Sequence, residues 1–307
     1  MRKFIVYRGL WYFLYSSVVR SVVVLVVVIL GLFGAAYGAT GLDSRGEVVH
    51  VPQRNVRIVS LSPGATEILY ALGLTEEIVG VSDYCNYPPE FVKTKPNMGG
   101  FSTPNIERIE SVSPHVVILT TVVPVSVKNQ FDRLGVELFV AEPKSFEDLL
   151  HIITQFGKLF GKENSARKMV HTMKMQAGEV VQAVRQKSLR PVTTFIEIWY
   201  NPYYAAEKNS LPGDLVVMAG GKVVPDTGSS YSRINEEAIL KMAPQAIILG
   251  HKTGMKNFLE THRNLSSIPA IRNNKVLAPN PDEFLRPGPR VVKALQEIAH
   301  FLHPEAF

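Results

Sequence analysis

The sequence predicts an α/β protein: two pseudo-symmetric parallel-sheet α/β lobes joined by a long, rigid backbone helix, with a ligand cleft between them. Three observations lead there. After residue 55, short β-branched segments alternate with helical ones, the pattern of βαβ units and a parallel sheet. The two halves also resemble each other. Residues 105–119 laid on 235–249 are identical at six of fifteen positions, and 63–73 resembles 211–220 in the same order. Between the halves lies a stretch with helical periodicity and no proline.

Arg57 to Leu61 reads as the first strand of the first lobe (55–144). Ser62-Pro63-Gly64 turns it into a helix, Thr66 to Leu72, that stops at Gly73. Ile78–Val81, His115–Thr120 and Val136–Val140 read as the remaining strands. Linking helices occupy 145–188. Ser145 caps one that Gly161 breaks. From Asn164 to Gln186, Ala166, Met169, Val170, Met173, Ala177, Val180, Val181 and Val184 recur at spacings of three and four. A helix of about 22 residues is roughly 33 Å long, enough to run across two lobes as a strut. The second lobe (191–307) repeats the series. It has a strand at Thr193–Ile198, a helix at Asp214–Ala219, strands at Ala246–Leu249 and Lys275–Ala278, and a final helix at Arg290–Leu302. A pair of lobes implies a cleft, the usual place for a small ligand.

The first 38 residues follow another pattern. A basic, aromatic opening leads to the uncharged run Val22–Phe33 and then to small residues from Gly34 to Ala39. This is the layout of a secretory signal, with cleavage expected near 36–39 and a retained membrane anchor as the alternative. The run is shorter than the roughly 20 residues that a spanning helix needs. No cysteine follows it closely, so lipoprotein anchoring finds no attachment residue. These 38 residues hold Arg2, Lys3, Arg8 and Arg20 and no acid, which leaves 29 bases against 27 acids in the rest. The body is nearly neutral, which argues against a nucleic-acid partner. Cys85 is the only cysteine and reads as a part-buried loop thiol, so no intrachain disulfide forms.

Several short motifs occur in a fixed order. They are Arg57-Ile-Val-Ser-Leu-Ser-Pro-Gly-Ala-Thr-Glu67, Asp83-Tyr-Cys-Asn-Tyr-Pro88, Asn105-x-Glu107, Asn201-Pro-Tyr203, Ala219-Gly-Gly221, Asn235-x-Glu237 and Arg286-Pro-Gly-Pro-Arg290. The ordered set, over about residues 55–303, resembles the class III periplasmic binding proteins, and within them the cobalamin-binding proteins of ABC importers. Haem and ferric-siderophore receptors share the framework. The resemblance implies an exported, periplasmic substrate-binding protein without cofactor or chemistry of its own. It would carry cobalamin or a related corrinoid and deliver it to the importer's membrane subunits, and a monomer is expected.

In the family, aromatic side chains from both lobes grip the ligand. By motif position these are Tyr84, Tyr87 and Phe101 in the first lobe, and Trp199, Tyr203 and Tyr231 in the second. Phe101 and Tyr231 stand where cobalamin proteins commonly place tryptophans. The physical reason is that flat side chains offer a corrin face large contact area at low rotamer cost. Glu107 and Glu237 each follow an Asn at a helix start. Locally that is a cap and a first-turn acid. The resemblance implies that the pair docks on arginines of the importer, away from the ligand aromatics.

Other candidates carry less. Gly250-His-Lys-Thr-Gly254 lacks a phosphate-loop ending and reads as an irregular turn. Ser60 and Ser62 have no nucleophile elbow. His251 and His262, potential ligands for haem iron or a metal, read as parts of a solvated loop. With no catalytic constellation, a cell-envelope hydrolase is the remote alternative.

Overall fold

The structure is a computed structural model that describes residues 38–121, 123–187, 189–200, 202–251, 258 and 260–307. Residues 1–37 of the expected secretory segment (1–38) lie outside the described residues, as does Asn201 of the Asn201-Pro202 turn.

The first-lobe sheet contains β3 (Ile58–Ser60), β4 (Ile78–Val81), β5 (Val116–Leu119) and β6 (Glu137–Val140). All pairs are parallel, in the order β4-β3-β5-β6. The second lobe contains β7 (Val192–Tyr200), β8 (Tyr203–Ala206), β9 (Gly221–Val224), β10 (Tyr231–Ile234), β11 (Ala246–Leu249) and β12 (Val276–Leu277). Its parallel part reads β9-β7-β11-β12, the same order with the same chain polarity. The lobes are therefore topological copies, as the internal repeat predicts. β7 is longer than its counterpart β3. Its second half takes on the antiparallel strands β8 and β10, an addition the sequence pattern does not signal.

The repeat extends to single residues. Helices Pro63–Ala71 and Leu211–Met218 are capped by Ser62 and Ser210 and end at Gly73 and Gly220, with φ +82° and +86°. Helices Ile106–Ser111 and Glu236–Met242 are capped by Asn105, accepting from Arg108 N at 3.0 Å, and Asn235, accepting from Ala238 N at 2.9 Å. Equivalent Ser113 and Ala243 adopt φ +43° and +44°. Each precedes a proline, which disfavours the right-handed helical region and sends the chain into the next strand.

The linking segment forms two helices, Phe146–Leu159 and Glu163–Gln186. Gly161 breaks between them at φ +66°. The longer helix buries Ala166, Met173, Ala177, Val180 and Val184, one stripe along its length. That stripe belongs to a single continuous core with Ile58 and Phe139 of the first sheet, Ile196 and Ile248 of the second, and Leu295 of the last helix, Val291–Leu302. The outer face of each sheet has its own separate core. The alternation within β3, where Ile58 faces the shared core and Val59 the outer one, is ordinary strand periodicity.

One further element lies ahead of the first lobe. β1 (Ala39–Leu42) and β2 (Val48–Val51) form an antiparallel hairpin. Asp43 in its turn accepts from Arg45 N at 2.8 Å, Glu47 N at 3.1 Å and Val140 N at 3.2 Å, tying the hairpin to the end of β6. Sequence reasoning begins the lobe at residue 55 and misses this hairpin, because its two short strands are half exposed and carry little apolar signal. No helix among the described residues is long and apolar enough to cross a membrane.

Both lobes share a core through two helices, so bending between them would expose apolar surface. We expect small-angle scattering to give nearly the same radius of gyration with and without bound ligand. A clear contraction on binding would contradict this.

Candidate functional site

In a parallel sheet the segments after the carboxyl ends of the strands form the ligand-facing edge. In the first lobe that edge carries the loop after β4, with Tyr84, Cys85, Asn86 and Tyr87. Cys85 pins the loop: its sulfur lies 3.2 Å from Thr66 Oγ1 and 3.3 Å from Ser82 Oγ. It is a part-buried structural thiol, as expected. Tyr84 is more than half exposed, and its ring meets Phe101 at 5.3 Å between centroids. The structure thus brings these two candidates together as a tilted aromatic pair.

In the second lobe the end of β7 presents Trp199, also half exposed, stacked on Tyr200 at 5.7 Å. Tyr231 opens β10, opposite Ala206 of β8. Burial of its hydroxyl end raises the Tyr231 pKa, and the charge of Glu142 adds to the shift. Glu142 lies just past β6, so a carboxylate of the first lobe acts on an aromatic of the second.

Tyr203 has a different setting. Its hydroxyl donates to Glu236 Oε1 at 2.7 Å, and burial with that neighbouring acid raises its pKa far above the usual phenol range. It lines one groove with Tyr200, Pro202, Arg233, Glu236 and Glu237. Glu237 is exposed at its helix start, as is Glu107 in the first lobe, and neither makes an ion pair among the described residues. The expectation that Glu237 stands clear of the aromatic candidates needs correcting. Helices feeding β5 and β11 begin at the same sheet edge that carries the aromatics, so Glu237 shares a groove with Tyr200 and Tyr203.

Glu67 and Arg290 stand in two of the sequence motifs, 223 positions apart, and the structure joins them across the lobes. Glu67 is only 4% exposed and accepts from Arg290 Nε at 2.8 Å and Nη2 at 2.6 Å, a bidentate pair. The Arg290 guanidinium also lies 4.1 Å from the centre of the Tyr87 ring. Tyr87 is therefore a cation–π partner of an interlobe clasp. Beside it, Asn86 of the first lobe bonds both Asp282 (3.2 Å) and Arg286 of the second. The backbone closes just as tightly: a Cβ on Gly64 would come 2.5 Å from Pro287 O.

An omission lies under Trp199. His251 and His262 are not solvated; they are 8% and 1% exposed. Each places its Nε2 on one oxygen of fully buried Glu197, at 2.8 and 2.9 Å. A run of polar residues after a strand looks like a loop in sequence, and only the fold shows Glu197 aimed at the same interior. Among the described residues no three His, Cys, Asp or Glu side chains are grouped to hold a bare metal ion.

Residues 58–282 match the family model described as periplasmic binding protein. The chain belongs to that family. An uncharacterized ABC transporter substrate-binding lipoprotein of Bacillus subtilis is 27% identical, covering 86% of this chain and 85% of that protein. A vitamin B12-binding protein of Vibrio cholerae is 25% identical, covering 80% of this chain and 88% of that one. Among solved structures, the periplasmic heme-binding protein RhuT from Roseiflexus sp. RS-1 superposes with a TM-score of 0.70 at 23% identity. It covers 82% of this chain and 99% of its own. This periplasmic binding protein thus has the two-lobed fold of that structure, and family members are solute-binding proteins.

The clasp gives a direct test. Arg290→Ala leaves the buried Glu67 carboxylate only the Arg286 guanidinium, 3.9 Å away, and breaking such a bidentate buried pair costs about 3 kcal/mol. Urea unfolding of the variant should show that loss, with Arg290→Lys intermediate because it keeps the charge and not the fork. An unchanged midpoint for Arg290→Ala would remove the clasp from the account of stability.

Proposed function

We propose that this periplasmic binding protein is an exported monomer that captures a corrinoid, cobalamin or a close relative, between its lobes and delivers it to the membrane subunits of an ABC importer. The observation that carries the reading is the aromatic side chains at the ligand-facing edges of both sheets: exposed Tyr84 with half-buried Phe101 beside it on one lobe, exposed Trp199 and Tyr231 on the other. Exposed aromatics cost solvation unless something flat covers them, and a corrin face does so over a large area. Asn86, Asp282 and Arg286, which meet at the junction of the lobes, offer donors and acceptors to the amide edge of such a ligand. The B12-binding relative supports the ligand, and the Bacillus relative supports the importer. Delivery rests on Glu107 and Glu237, exposed at equivalent helix starts on the two lobes, which suits docking arginines on a twofold transporter mouth. The near-neutral body favours this over nucleic-acid binding.

Calorimetric titration of the purified protein with cyanocobalamin should give binding at micromolar ligand or below. Phe101→Ala and Tyr231→Ala should each weaken it by roughly tenfold, since loss of a stacking contact is of order 1 kcal/mol beyond the lost area. Their apo melting temperatures should hold. No heat with cobalamin and a Soret shift with hemin would replace the corrinoid with haem.

Docking is tested separately. The double reversal Glu107→Arg with Glu237→Arg should leave stability nearly unchanged, surface changes of this kind costing less than about 0.5 kcal/mol, and Glu107→Arg alone should leave ligand affinity unchanged as well. Uptake by the reconstituted importer should nearly cease, because like charges then face each other. Normal uptake would reduce these acids to helix-start residues.

A further inference from the structure

His251 and His262 share Glu197 but differ in what remains to them. His262 uses both nitrogens: Nε2 faces Glu197 Oε2, and Nδ1 lies 2.8 Å from Phe258 O and 2.7 Å from Thr261 Oγ1. His251 uses one. A carboxylate accepts, so the Nε2 at 2.8 Å from Glu197 Oε1 carries a hydrogen, and in the neutral ring Nδ1 is the lone-pair nitrogen. That Nδ1 is buried and has no hydrogen-bond partner. An unmet buried acceptor in a native fold calls for an explanation. The imidazole is also held in place. Gly250 N donates to Glu197 O at 2.7 Å, extending the β7–β11 ladder one step and setting His251 at the ligand-facing end of the sheet. Its ring neighbours there are Tyr200 at 5.6 Å and half-exposed Trp199 at 6.5 Å, edge-on.

A histidine whose one nitrogen donates to a carboxylate while the other stays free is the arrangement found at metal-ligating imidazoles, where the carboxylate sets the tautomer and raises ligand basicity. One donor cannot hold a bare ion, and the described residues group no trio that would. A single imidazole does suit a metal whose other positions a macrocycle already fills.

We propose that His251 is an axial ligand to the metal centre of the cargo and selects cargo with an exchangeable axial position. This rests on the corrinoid reading and deepens it. A corrinoid settling on Trp199 turns that side chain, a rotamer change of the kind common on binding, and brings cobalt to Nδ1. The water on Co(III) leaves as the Nδ1 lone pair forms the cobalt–nitrogen bond. No electron moves, and the Nε2 hydrogen stays on its bond to Glu197. Cyanocobalamin, with cyanide in that position, cannot make the exchange.

The test uses the full chain, titrated with hydroxocobalamin and with cyanocobalamin while the visible spectrum is recorded. Hydroxocobalamin should bind about tenfold or more tightly than cyanocobalamin, the size expected of a distinct specific contact. Its bands should shift to the red as nitrogen replaces oxygen on cobalt. His251→Ala should lose the shift and bind the two alike. Should that variant fail to fold, the comparison of the two corrinoids on the wild-type protein decides alone. Hydroxocobalamin bound with an unshifted spectrum, or a shift that survives in His251→Ala, overturns the axial role and leaves the corrinoid reading standing. If neither corrinoid binds, that reading fails, and ferric hemin becomes the probe. A Soret band altered by His251→Ala keeps the axial ligand, and identical spectra overturn it. If none of the three binds, both fall.

Discussion

Ala166, Met173, Ala177, Val180 and Val184 of the long helix lie in the same core as Ile58 and Phe139 of one sheet and Ile196 and Ile248 of the other. The two lobes thus do not merely touch; they bury their inner faces against common helices. Each apolar side chain in that core contributes on the order of 1.5–3 kcal/mol by burial, and moving the lobes apart forfeits part of it at many positions together. Interiors pack densely and rearrange between discrete states rather than deform smoothly. Beside this core the Glu67–Arg290 pair joins the lobes a second time, so the space between them has fixed walls.

Fixed walls matter for a protein whose work is capture and release. A preorganised site loses little freedom on binding, which leaves more of the contact energy as affinity. The half-exposed rings of Tyr84, Trp199 and Tyr231 are then available without prior movement of the backbone. Glu107 and Glu237, at equivalent helix starts on lobes that share one core, keep their separation.

The copies differ where chemistry enters. Through the matched registers of β3 with β5 and β7 with β11, Leu61 in the first lobe corresponds to Glu197 in the second. Leu61 is an ordinary member of the outer core. At the equivalent place the second lobe buries a carboxylate and two imidazoles, one nitrogen of which is left unmet. An apolar solution to this position exists within the same molecule, so stability alone does not account for the polar one. The longer β7, with β8 and β10 added, frames this cluster and holds Tyr200 and Tyr203 beside it.

By itself the sequence determined what depends on neighbouring residues. Strands Ile78–Val81 and Ala246–Leu249 stand at the expected bounds, since parallel strands buried on both faces read as unbroken apolar runs. The long helix spans Glu163–Gln186, one residue from the expected start, because its apolar stripe has a helical period. Asn105 and Asn235 cap as their position before an acid suggests. The tertiary structure decided what depends on distant residues. Arg290 reaches Glu67 across 223 positions, and His262 reaches Glu197 across 65. No local pattern marks those partners. A lone polar side chain looks solvated until the fold supplies the group that satisfies it, and the hairpin at 39–51 looks like a tail until β6 supplies its edge.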